Sequence, residues 1–331
     1  MKNRIVKCMN AWKLRFSMAG TLAIIFGLTT LVFVIILTWA GIGFDLLTIG
    51  VLVVIINIAQ WLLSPYLVGA IYKVRALPEN ENPQLHQMVG DLSRKSGISK
   101  PKLMLSQIPL PNAFAYGSPL TGSRVAVTQG LLKSLDNGEV EAVLGHELGH
   151  LKHRDVQVMM IVSFLPALFY YIGYSLMLSG MFGGGQRKNE GGSNALIGIG
   201  FMAFSWILTL FTLYLSRLRE YYADRHSVSV VDNGAEKLST GLVTIVEESR
   251  HSGRQSKEQK KSNSAFKALF IADPDRASAD SAELHAMHAA NKKDLLKETI
   301  SKEPTSADKF LEIFSTHPNI IKRLRAIQEV N

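Results

Sequence analysis

Four stretches of the chain are long, apolar and free of charge, and the polar residues gather between them. The first lies within Phe16 to Phe44, between the charges of Arg15 and Asp45, and centres on about residues 18–40. The second runs from Leu46 to Tyr72 (about 46–71) and stops before Lys73 and Arg75. The third follows Asp155, from Val156 to Phe182 (about 156–180), and the fourth runs from Asn194 to Leu215 (about 195–215), before Arg217 and Arg219. A helix of about 20 apolar residues crosses a bilayer, so each stretch predicts a membrane span. The first is too long for a cleaved signal core and a second span follows at once, so it reads as a retained helix. The second carries Asn57, Gln60 and Pro65, which suit packing against other helices or a cavity.

Residues 1–72 therefore read as an N-terminal membrane hairpin. The polar segments Lys73–Asp155 and Ser216–Asn331 are expected to fold together as one domain, residues 73–331, interrupted by a second membrane hairpin. Within it, Val140, Val143, Leu144 and Leu148 recur at helical spacing over Glu139–His153. Asp136 and Asn137 stand ready to cap that helix, with Glu139 three residues after Asp136 as in a capping box. Arg124 to Thr128 alternates around Val125 and Val127, and Gly117, Pro119 and Gly122 mark a turn, which predicts a small β-hairpin. Arg250–Ser264 is polar and basic and reads as a mobile loop, and Asp273–Ser306 reads as a solvated insertion.

Composition alone, 47% hydrophobic and 19% charged, would fit a soluble protein; the clustering overrides it. A formal net charge of +9 suits nucleic acid or an anionic membrane surface. Its first cluster, Lys2, Arg4, Lys7, Lys13 and Arg15, directly precedes an apolar run, as a membrane topology signal does. There is no zinc-finger spacing or RNA-recognition signature, so no nucleic-acid partner is expected. The basic N-terminus, Lys73, Arg75, Arg217 and Arg219 belong on the cytoplasmic side, and the links Ala40–Asp45 and Gly183–Ser193 outside. Both termini and both polar segments then share the cytoplasm. The single cysteine, Cys8, excludes an intrachain disulfide and a thiolate metal cage.

The chemistry centres on His146-Glu147-Leu148-Gly149-His150. On a helix, positions i and i+4 share a face, so His146 and His150 can present two imidazoles to one zinc ion, with Glu147 beside them as general base toward a water. Catalytic zinc takes three protein ligands and keeps one position open. Glu220, in Ser216-Arg217-Leu218-Arg219-Glu220-Tyr221-Tyr222-Ala223-Asp224, is 70 residues beyond His150, but the hairpin of spans three and four closes that gap. If both helices continue out of the bilayer, His150 and Glu220 reach similar depth, each roughly 8–9 Å beyond its span. Asp224 shares the face of Glu220 and could accept a hydrogen bond from His146 or His150, fixing its tautomer. His153 is expected to be interfacial or structural.

HELGH with the downstream SRLREYYAD block resembles the HtpX-like membrane metalloproteases, relatives of the CAAX prenyl proteases. Asn112-Ala113-Phe114-Ala115-Tyr116-Gly117, then Ser123 to Gly130, and Ser315-Thr316-His317-Pro318 with Arg323 match in the same order. The resemblance implies zinc on His146, His150 and Glu220, Glu147 as base, Asp224 in support, His317 stabilising the oxyanion and Arg323 holding that region. Asn112 and Ala113, on the hairpin edge, are assigned to substrate backbone by strand addition. The expected fold is mainly α-helical: four transmembrane helices plus a cytoplasmic zincin-type metalloprotease domain with a small β element. The expected function is zinc-dependent hydrolysis of misfolded or damaged membrane proteins, with one zinc ion per chain. A prenyl-protein protease and a catalytically silent membrane scaffold are the alternatives; four spans argue against the first, and an intact Glu147 against the second.

Overall fold

The computed structural model describes residues 46–182, 190–255 and 305–330, together with 296, 300, 301 and 303. The first predicted span and most of the two polar stretches at 250–264 and 273–306 lie outside these residues. The described part is mostly helical, with one four-stranded sheet. It falls into two compact units, residues 56–166 with 206–331 and residues up to 55 with 167–205.

The sheet follows from period-two burial. Strands β1 (Val74–Ala76), β2 (Lys102–Ser106), β3 (Ala113–Ser118) and β4 (Gly122–Thr128) lie in the order β1-β2-β4-β3. The β3–β4 hairpin is antiparallel, with Ala115 opposite Val125 and Ser118 opposite Gly122. Positive φ at Gly117 and Gly122, 155° and 71°, makes the turn and favours glycine at both. Pairing of β2 with β4 is parallel, from Lys102↔Arg124 to Ser106↔Thr128. Leu103, Leu105, Ala113, Val125 and Val127 face the main core. Met104, Phe114, Tyr116 and Ala126 face a second cluster with Tyr72 and Val68. The strand β3 is an edge, paired on one side only.

Helices α1 (Leu46–Ile71), α2 (Pro83–Ser96), α3 (Gln129–Ser134) and α4 (Asn137–Lys152) precede two long apolar ones, α5 (Asp155–Phe182) and α6 (Glu190–Val230). Helices α7 (Gly234–Gln255), α8 (Ser306–Glu312) and α9 (Ile320–Gln328) complete the order. The capping box forms as expected: Glu139 N–H donates to Asp136 Oδ1 at 2.8 Å and Asp136 N–H to Glu139 Oε2 at 3.1 Å. The helix α4 is buried on every side from Ala142 to Gly149, as a central core helix is, so its histidines are not surface residues.

Two helices, α5 and α6, are long and apolar enough to cross a membrane, and only 12% and 11% of their most apolar windows is buried. That exposure distinguishes them from core helices of a soluble protein. Helix α1 runs 26 residues without a charge. Where α5 and α6 meet, Gly173 has no room for a side chain: a Cβ there would lie 2.6 Å from the carbonyl of Gly198.

Four expectations change. The chain does not pass from α4 straight into α5; it breaks at His153 and Arg154, the latter at φ 54°. Helix α6 does continue unbroken, and takes in Glu190–Ser193 from the predicted loop. Residues 250–255 extend helix α7 rather than opening a loop. The end of the predicted insertion is not wholly solvated, since Leu296 is buried in the main core and Ile300 rests against it.

Candidate metal centre

Helix α4 delivers His146, Glu147 and His150, and α6 delivers Glu220 and Asp224. The two helices approach closely because α4 carries glycine where they meet. A Cβ at Gly149 would lie 3.0 Å from Ala223 Cα and 3.1 Å from His226 Cβ, and one at Gly145 would lie 3.1 Å from Ser227 Oγ. Ser227 Oγ completes the contact by donating to the carbonyl of Ala142 at 2.6 Å.

His146 Nε2 and His150 Nε2 stand 3.1 Å apart, and Glu220 faces them at 3.7 and 3.5 Å through its two oxygens. One ligand atom from each residue lies within 4.8 Å of the others, the only such group found among the described residues. Ligand atoms around a tetrahedral zinc at about 2.0–2.1 Å would be separated by about 3.4 Å, so the spacing suits one small cation. The donor set agrees, two nitrogens and a carboxylate, and Glu220 Oε2 is buried with no hydrogen-bond partner.

The far nitrogen of each imidazole is held by a carboxylate. His146 Nδ1 lies 2.8 Å from Asp224 Oδ1, and His150 Nδ1 lies 2.6 Å from Asp155 Oδ2. Such partners leave Nε2 unprotonated and pointed at the metal position. Asp224 in turn accepts two hydrogen bonds from Arg323, Nε and Nη2, both 2.7 Å. A third guanidinium nitrogen, Nη1, is 3.4 Å from Glu220 Oε2. Asp155 pairs with Arg219 through its other oxygen. The sequence reading did not assign Asp155; the missing signal is the backbone break just before it.

Burial and Arg323 lower the His146 pKa to about 4, which keeps the imidazole neutral, the form that ligates metal. Burial pushes Glu147 up to about 7, although Glu147 Oε2 accepts from the Ala115 N–H at 2.7 Å. For Arg323, burial opposes the charge, but Asp224 and Glu220 outweigh it and raise its pKa.

His317 lies in the braced turn before α9. Its Nδ1 is 3.4 Å from Glu220 Oε2, and both ring nitrogens are buried without a hydrogen-bond partner. The N–H of His317 donates to Ser315 Oγ at 3.2 Å, and that of Asn319 to Glu312 Oε1 at 3.1 Å. Ala113 opens edge strand β3, and Asn112 immediately precedes it. Asn112 is fully buried; its N–H donates to Thr128 Oγ1 at 2.9 Å and its carbonyl accepts from Thr128 N–H at 3.0 Å. Its backbone is thus committed to β4. By alternation the free edge belongs to Ala113, Ala115 and Gly117, and Ala115 is the residue that meets Glu147.

The profile of Peptidase family M48 matches residues 79–331, which hold every residue of this cluster. The chain belongs to peptidase family M48. Curated relatives agree over most of its length. It is 36% identical to a protease HtpX homolog of Thermoplasma acidophilum over 281 residues, 84% of this chain and 83% of that one. It is 36% identical to protease HtpX homolog 2 of Saccharolobus solfataricus over 333 residues, 96% and 98% of the two. A homolog from Aeropyrum pernix is 37% identical over 297 residues, 89% and 88%. Among solved structures, Ste24p of S. mikatae shares the fold with a TM-score of 0.55 at 18% identity, over 98% of this chain and 66% of that one. This M48 peptidase is thus an HtpX-like, metal-dependent protease.

Proposed function

We propose that this M48 peptidase is a zinc endopeptidase of the cell membrane that cuts misfolded or damaged membrane proteins on the cytoplasmic side. The observation that carries the reading is the convergence of His146, His150 and Glu220 beside Glu147. A zinc ion held by these three residues would supply a Lewis acid for the scissile carbonyl and acidify a water to near neutrality. Glu147 takes the proton of the attacking water and hands it to the leaving amine. Its raised pKa suits a group that must both accept and release a proton near pH 7. His317 supplies a donor to the oxyanion through Nε2, which is buried without a hydrogen-bond partner while Nδ1 faces Glu220. Asp224 and Asp155 hold the imidazoles, and Arg323 clamps Asp224. Substrate backbone adds to the edge of β3 at Ala113, beside the Ala115 N–H that Glu147 already occupies, with buried Asn112 anchoring that strand to β4.

Four spans, from about 18–40, 46–71, 156–180 and 195–215, with both termini cytoplasmic, fit the charge-free runs and the Lys and Arg between them. The exposure of α5 and α6 supports this reading.

The test pairs wild type with Glu147→Gln, purified in detergent with chelator. Bound zinc is counted and casein cleavage followed after zinc is added. One zinc in each, with cleavage only in wild type, supports metal site and base together. Wild type that binds no zinc overturns the ligand assignment. Zinc binding without cleavage in either overturns the protease reading in favour of a silent membrane scaffold, and cleavage in both removes Glu147 from its role.

A further inference from the structure

Helix α8 and the turn after it carry Phe310, Ile313 and Phe314 at 49%, 41% and 38% exposure. An apolar cluster that open to water is costly, and it is not isolated. Phe314 meets Phe310 edge to face at 5.6 Å between ring centroids and approaches Trp206 of α6 at 6.5 Å. Trp206 is nine residues before Leu215, where the uncharged run of α6 ends. At 1.5 Å per residue that is about 13 Å. If α6 spans the bilayer, Phe314 lies below the level at which the hydrocarbon begins.

Most of the turn's backbone meets the requirement that lipid sets, namely that polar groups find partners within the protein. The N–H groups of Ile313, Phe314 and Ser315 donate to the carbonyls of Phe310, Leu311 and Glu312. The carbonyls of Ile313 and Ser315 accept from Arg217 Nη1 at 3.2 and 2.7 Å. Arg217 is the first charge after the span; its guanidinium also sits 5.7 Å from the Tyr214 ring. Aromatic rings and a basic residue at this position make the pattern of a membrane interface.

From this geometry we infer that residues 310–314 form a foot that dips into the cytoplasmic leaflet of the bilayer. The occupant of this apolar face is lipid acyl chain. The foot joins His317 directly: Ser315, whose carbonyl Arg217 grips, is two residues before the histidine that faces Glu220. Membrane contact thereby sets the floor on which one wall of the active site rests. The inference depends on the membrane-spanning reading of α6 given above.

The test keeps the full chain in liposomes. In a Cys8→Ser background, Phe314→Cys, or separately Phe310→Cys, is labelled with an environment-sensitive fluorophore. Quenching by lipids brominated along the acyl chain is compared with the same label at Ile199→Cys in α6 and at Glu79→Cys, whose side chain is 73% exposed. Each labelled protein is first checked for bound zinc, so that a misfolded variant is replaced by the other foot position. Quenching at the foot comparable to Ile199, with none at Glu79, is the expected result. Quenching at Ile199 with a foot that behaves like Glu79 overturns the foot alone, and points to protein rather than lipid covering this face. No quenching at Ile199 overturns the spanning reading and the foot with it.

Discussion

At the scale of single residues, the two carboxylates behind the histidines differ in what depends on them. Asp155 holds His150 at 2.6 Å and pairs with Arg219, at the start of α5. Asp155→Asn removes charge there but leaves a hydrogen-bonding group, so the fold should persist while zinc affinity falls about 10- to 100-fold. Chelator competition measures that loss; an unchanged affinity would show that His150 needs no orienting carboxylate. Asp224 is tied to Arg323, which is 2% exposed, through two bonds. Asp224→Asn strands a buried guanidinium, and breaking such a pair costs about 3–5 kcal/mol. This variant should therefore lose more thermal stability with chelator present than Asp155→Asn, whose partner Arg219 keeps 12% of its side chain exposed. Equal melting temperatures for the two would put the Arg323 clamp in error.

At the scale of elements, the site exists because α4 and α6 pack backbone to backbone. Gly149→Ala places a methyl 3.0 Å from Ala223 Cα, and the neighbour is main chain rather than a flexible side chain. The helices must separate by a few tenths of an ångström, which lifts Glu220 from the histidines. Zinc affinity and casein cleavage should fall together in Gly149→Ala. Gly69→Ala, with nothing within 4 Å, should change neither. A Gly149→Ala protein with wild-type zinc affinity would show that the helix contact does not set ligand distance. The sequence made α4 legible because its signals are local: a capping box over four residues and two histidines at i and i+4. It made the β3–β4 hairpin legible through Gly117, Gly122 and the alternation around Val125 and Val127. Strands β1 and β2 went unread: β1 has three residues, and the parallel pairing of β2 with β4 joins segments far apart in sequence, which leaves no short-range period. Asp155 was illegible for a related reason, since its reach to His150 depends on the left-handed turn at Arg154. Leu296 and Ile300 reach the core four residues apart, and two apolar contacts inside a polar stretch are too few to mark a period.

At the scale of the molecule, the metal position joins parts of the chain that the long apolar stretches of α5 and α6 separate. Its three ligands come from α4 and α6, and Arg323 of α9 braces Glu220 and Asp224 from a third direction. Beyond the ion-pair contacts of Arg323 and His317 at 3.4 Å, Glu220 Oε2 has no hydrogen-bond partner, a buried carboxylate oxygen that a cation would satisfy. A ligand that binds only the folded state adds RT ln(1 + [L]/Kd), about 4 kcal/mol at a thousandfold excess over Kd. At about 2–4 °C per kcal/mol for a domain of this size, chelation should lower the melting temperature by about 8–16 °C. Glu147→Gln should show the same fall, because it leaves all three ligands in place and removes only the base. A substitution of His150 should instead melt at the chelated temperature whether or not zinc is added. If chelation strips zinc from wild type without moving its melting temperature, the ion contributes to the chemistry alone, and the packing of α4 on α6 holds the centre together without it.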